Sequence, residues 1–98
     1  MNSFVIVSFD LVNANPSDYS SMRDELKRYG LDKYVLSNQG NNVRLPSTTY
    51  AGEFSTEPST QQVKEWLLAA AKSAYVEVGD YFLFVTGGSW SWMGRADS

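Results

Sequence analysis

The chain has 98 residues, 43% of them hydrophobic and 14% aromatic, which describes one folded domain over residues 1–98 with a single modest core. Cysteine and histidine are both absent, which excludes disulfides, thiol nucleophiles, His-based triads and zinc held by Cys or His. Eight basic and eleven acidic side chains give a net charge of −3, which does not favour a surface built to neutralise nucleic-acid phosphates.

Residues 3–12 read as a strand. Val5, Val7, Phe9 and Leu11 share one face, and Phe4, Ile6, Ser8 and Asp10 share the other. Both faces are partly apolar, as in strands covered on both sides. Asp10 is the one charge in this run. An ionised carboxylate is costly to bury alone, so Asp10 belongs at a strand end, at a subunit junction or at a metal.

Asn13 to Pro16 stops the strand. Asn15 suits an N-cap, Pro16 suits the first helical position, and Asp18 faces the positive end of the helix dipole. Tyr19, Met22, Leu26 and Tyr29 then recur at spacings of three and four, predicting a helix over 16–29 closed by Gly30. Arg23, Lys27 and Arg28, set among Asp24 and Glu25, read as a solvated mixed-charge face.

Tyr34-Val35-Leu36 is a short strand, and Gln39 to Asn42 is turn chemistry. Val43-Arg44-Leu45 is a second short strand, stopped at Pro46. Residues 48–54 are rich in β-formers, with Gly52 a candidate bulge. Ser59 to Gln62 matches a capping box. Val63, Trp66, Leu67, Ala70 and Ala74 form the stripe of a helix over 60–74. Val78-Gly79-Asp80 reads as a turn and residues 81–86 as an apolar strand broken by Gly87-Gly88. Residues 89–93 are a candidate last strand, with Trp90 and Trp92 on one face, and 94–98 a frayed end.

The element order βαββαβ is the ferredoxin-like, α+β pattern: an antiparallel sheet with both helices on one face, here with a candidate extra C-terminal strand. The other face, with Phe4, Ile6 and members of 81–86, needs a cover. A second copy about a two-fold axis is the expected cover, which predicts a homodimer. The alternative is that the terminal segment with Trp90 and Trp92 folds over that face within one chain.

Three phrases carry a family resemblance: Ser8-Phe9-Asp10-Leu11 ending the first strand, Lys27-Arg28-Tyr29-Gly30-Leu31 closing the first helix, and Ser47-Thr48-Thr49-Tyr50-Ala51-Gly52-Glu53-Phe54 in the middle. A later strand opens on Gly79-Asp80. In this order they resemble the small CRISPR-associated adaptation nucleases and their VapD-like and SinR-like relatives, over roughly residues 3–86. The resemblance implies a ferredoxin-like dimer in which Asp10 of each subunit nears its mate. It implies Mg²⁺ there for phosphodiester hydrolysis in some members, and a scaffold without needed chemistry in others. Two such carboxylates repel unless a cation or a shared proton neutralises them.

Asp10 is thus the candidate catalytic residue and metal ligand. The competing reading has its carboxylate accept backbone amides of the Leu11–Pro16 segment. Glu53 is either a second metal ligand, a salt-bridge partner for Arg44 or a solvated edge charge. Trp90 and Trp92 are stacking platforms with Arg44 and Arg95 as cations, or else packing anchors. Ser47, Thr48 and Thr49 lack a base to activate them. Thr86 to Ser89 lacks the Gly-Lys-Ser/Thr end of a phosphate loop. The expectation is a cytoplasmic, dimeric scaffold with metal-dependent hydrolysis in reach and no membrane span. The alternative is a non-catalytic protein- or ligand-binding module without nucleic-acid activity.

Overall fold

The computed structural model describes residues 2–37 and 39–88. The elements run β1 (Ser3–Leu11), α1 (Pro16–Lys27), β2 (Tyr34–Leu36), β3 (Asn42–Arg44), β4 (Thr49–Phe54), α2 (Thr60–Ala74) and β5 (Val78–Gly87). This is a small α+β fold. Its main sheet has three strands in the order β4-β1-β5, antiparallel throughout.

Local chemistry sets both helices. The Asn15 side-chain oxygen accepts the Asp18 N–H at 3.0 Å, and the Asp18 carboxylate accepts the Asn15 N–H at 3.1 Å. That reciprocal pair satisfies two donors that the first turn leaves open. Helix α1 stops at Lys27, two residues before the expected end. Arg28 is the C-cap, and Gly30 turns the chain at φ +83°. Ser59 caps α2 by accepting the Gln62 N–H at 3.0 Å. Helix α2 ends on Tyr75, held at φ 59° in the left-handed region.

Alternation in β1 divides the interior into two. Val5, Val7, Phe9 and Leu11 are buried with Met22 and Leu26 of α1 and Val63, Leu67, Ala70 and Ala71 of α2. Both helices therefore pack on one side of the sheet. Phe4, on the opposite side, is buried with Val35 and Ala51, against which Ile6, Val43 and Leu45 pack. Strands β2 and β3 pair with each other rather than extending the main sheet. Their hairpin lies over the Phe4 end of that second side. Just before it, Asp32 and Ala51 exchange two backbone hydrogen bonds of 2.8 Å, a single bridge on the outer edge of β4.

Two sequence expectations change here. Residues Val78-Gly79-Asp80 already belong to β5 instead of forming a turn. Gly52 is paired in register with Val5 and is no bulge. The bulge lies on the other flank of β1, where the register slips between Phe9 and Leu11. The candidate strand over 89–93 falls outside the described residues.

Candidate functional site

Asp10 is exposed and sits at that slip. Phe9 faces Tyr81 and Leu11 faces Val78, so Asp10 alone opposes Gly79 and Asp80 together. Two residues against one is a β-bulge, which re-aims side chains and adds twist. It sets a second exposed carboxylate, Asp80, in the strand beside Asp10. Sequence reading missed this neighbour because Gly79-Asp80 resembles a turn. The glycine at the start of an apolar strand was the available signal. Among the described residues the Asp10 carboxylate accepts no hydrogen bond from the Leu11–Pro16 amides.

Glu53 is exposed on β4, directly opposite Phe4. Strands β1 and β4 are neighbours, but the antiparallel register places Glu53 at the far end of β1 from Asp10. The span from Phe4 to Asp10 is on the order of 20 Å of strand. Within one chain these two carboxylates do not share a site. Arg44 is exposed on β3, opposite Tyr34, and forms no ion pair among the described residues. Trp90, Trp92 and Arg95 fall outside the described residues.

A hard cation prefers six or more oxygen donors. Among the described residues no cluster of three or more His, Cys, Asp or Glu side chains is placed to hold one. Asp10 with Asp80 supplies two carboxylates; Mg²⁺ is commonly held by one or two carboxylates, with waters and substrate oxygens filling the rest of its shell.

The remaining feature is apolar. On the side of the sheet away from the helices, Ile6 faces Phe84 and Ser8 faces Phe82 across β1 and β5. Phe82 is 66% exposed and Phe84 48%. On the neighbouring strand Ser8 lies beside Thr49, whose Oγ1 is 3.4 Å from the Ser8 Oγ. The β2–β3 hairpin covers the Phe4 end of this side and leaves the β5 flank uncovered among the described residues. Phe82 and Phe84 together make an exposed aromatic patch on this sheet face.

No helix is long and apolar enough to cross a membrane among the described residues. No family model matches the chain, and no curated protein matches it.

Proposed function

We propose that the protein is a ferredoxin-like interaction scaffold that pairs with a second copy through the sheet face bearing Phe82 and Phe84. The exposure of those two rings carries the reading. The strand order β4-β1-β5, the helices on one side and the Asp32–Ala51 bridge at the outer edge of β4 support the ferredoxin-like assignment. In that pattern a fourth strand position lies where the bridge is. Ile6, Phe82 and Phe84 are uncharged, and the exposed carboxylates Asp10 and Asp80 lie beyond Ser8 and Phe82 at the bulge end, so the contact centres on the apolar rings. An apolar patch is self-complementary about a two-fold axis.

Light scattering and sedimentation on the purified chain test this. A dimer in the micromolar range, converted to a folded monomer by Phe82→Glu, is the expected result. A wild-type monomer, or a dimer that survives Phe82→Glu and Phe84→Glu together, overturns it.

A second reading is favoured by the Asp10–Asp80 juxtaposition at the bulge. The chain resembles the CRISPR-adaptation nuclease group, and paired exposed carboxylates suit hydrolysis of a phosphodiester with a divalent cation. Labelled RNA and DNA, incubated with Mg²⁺ or Mn²⁺, decide it. Cleavage that Asp10→Asn abolishes without moving the melting temperature supports the reading. No cleavage by the wild type ends it.

A further inference from the structure

On the helix side of β4 lies a half-open cleft of about 400 Å³, lined by Tyr19, Ser20 and Arg23 of α1, Lys33, and Ser47, Thr48 and Tyr50 around the start of β4. Its size falls within the range of small-molecule sites, roughly 300 to 1,000 Å³. It brings two cations and five hydroxyl groups together in a chain whose net charge is −3. Sequence reading had dispersed them. Arg23 belonged to a solvated helix face, and the 47–49 hydroxyls lacked a base.

One of the two cations meets a carboxylate among the described residues and the other does not. Lys33 forms no ion pair among the described residues. Its Nζ donates to the Pro46 carbonyl oxygen at 3.3 Å and stands 5.3 Å from the centre of the Tyr50 ring. Arg23 meets its sequence neighbour Asp24 at a long 3.8 Å. Desolvation first, then the positive charges of Arg44 and Arg23, hold the Lys33 ammonium below its ordinary pKa. Asp24 beside Arg23, and Asp32, whose carboxylate accepts the Lys33 N–H at 2.6 Å, partly balance these charges; of the two cleft cations, Lys33 is the one a bound anion would pair among the described residues.

The walls are fixed before any ligand arrives. The Leu45 N–H donates to the Lys33 carbonyl at 2.7 Å. The Thr49 N–H donates to the Pro46 carbonyl at 3.1 Å and closes the turn. The Phe9 N–H ties the Thr48 carbonyl to β1 at 3.2 Å. Thr48 itself is held at φ 61°, a strained region for a β-branched residue. Tyr50 is buried and stacks on Phe9, with ring centres 5.7 Å apart. Backbone strain at Thr48 and a Lys33 without an ion pair among the described residues meet at one cleft, the kind of local departure that binding sites show.

We infer that this cleft binds a small phosphomonoester. Arg23 and Lys33 hold the phosphate with the Ser47 hydroxyl beside them, and the ring of Tyr19 flanks the organic part. The Ser20 and Thr48 hydroxyls donate to the Pro16 and Ser47 carbonyls at 3.4 and 2.6 Å, so each must turn from its carbonyl to reach the anion. A phosphomonoester presents three terminal oxygens and close to two negative charges. That demand suits guanidinium and ammonium donors surrounded by hydroxyls better than a single carboxylate does.

Phenyl phosphate, titrated into the isotopically labelled full chain and followed by amide chemical shifts, tests the assignment. Saturable shifts at Thr48, Thr49 and Tyr50 with Kd at or below about 1 mM are expected. Arg23→Gln and Lys33→Met should each weaken binding about tenfold. Arg23→Gln lies mid-helix and exposed, and keeps the test decisive if Lys33→Met does not fold. No saturation by about 10 mM, or equal binding by both variants, overturns the site. Benzoate binding as tightly as phenyl phosphate overturns the phosphate class, and inorganic phosphate doing so overturns the organic subsite. A uridine oligomer that saturates the same amides at lower concentration overturns the small molecule in favour of a nucleic acid.

Discussion

Gly52 of β4 packs directly against the carbonyl oxygen of Gly30, where the chain leaves α1. A β-carbon at Gly52 would collide with that oxygen, which is backbone and has no rotamer to yield. The Tyr29-Gly30 and Gly52-Glu53 phrases, separate in sequence, thus meet at one contact. Gly52→Ala is expected to destabilise by about 2 kcal/mol or more, because the helix end must move off the sheet. Gly79→Ala is the control. Its β-carbon would find ordinary contacts, 3.4 Å from Val12 Cγ2 and 3.6 Å from the Asp10 carbonyl oxygen. It should stay within about 0.5 kcal/mol of wild type in urea unfolding.

Lys33 and Tyr50 predict opposite alkaline pH dependences. Burial lifts the Tyr50 phenol above its usual 10.0; Arg23 opposes this, while Asp24 and Asp32 reinforce it. The folded protein then holds the phenolic proton longer than the unfolded chain, so Tyr50 makes stability fall as pH climbs from 10.0 through the folded value. Lys33 lies below its usual 10.5, owing to desolvation, then Arg44, then Arg23. There the unfolded chain holds the proton longer, so Lys33 makes stability rise across the window between its folded value and 10.5. Denaturant midpoints followed against pH should lose the fall in Tyr50→Phe and the rise in Lys33→Met. At neutral pH, Lys33→Met should cost no more than about 0.5 kcal/mol, since it removes a repelled charge along with its contact to Tyr50.

What the sequence made legible was whatever is periodic. The odd residues of β1, the stripe through Met22 and Leu26, and the stripe through Val63, Leu67 and Ala70 each show their buried face locally, and they meet in one core. The Asn15 and Ser59 caps were equally local. Register was not legible. Adjacency of the strands holding Asp10 and Glu53 follows from topology, but which residue faces which is fixed by long-range pairing. The cleft was hidden for the same reason, because Arg23, Lys33 and Thr48 come from three segments that only folding brings together. Burial of Phe4 under the β2–β3 hairpin depends on Val35 and Ala51, neither near it in sequence.

Tyr75 marks a place where the fold accepts strain without evident return. It ends α2 at φ 59° with its side chain 95% exposed. Its N–H donates to the Lys72 carbonyl at 3.3 Å, so the capping geometry is in place with a disfavoured residue in it. Glycine meets no β-carbon penalty in this region. Tyr75→Gly should therefore stabilise the fold by about 1 kcal/mol, read as a higher denaturant midpoint with unchanged slope. Tyr75→Val, β-branched in the same conformation, should lower it.

Phe4 and Phe82 lie on the same side of the sheet and should answer truncation differently. Phe4 is 5% exposed, sealed by Val35 and Ala51, so Phe4→Ala should cost about 3 to 5 kcal/mol at any protein concentration. Phe82 is mostly in water within one chain, so Phe82→Ser should cost less than about 0.5 kcal/mol where the chain is monomeric. If a second copy covers Phe82, that small cost grows as concentration rises, because association stabilises the wild type and not the variant. Thermal unfolding of both variants across a hundredfold range of concentration separates intrinsic stability from pairing. A Phe82→Ser penalty that stays flat over that range would leave the face without a self-association role.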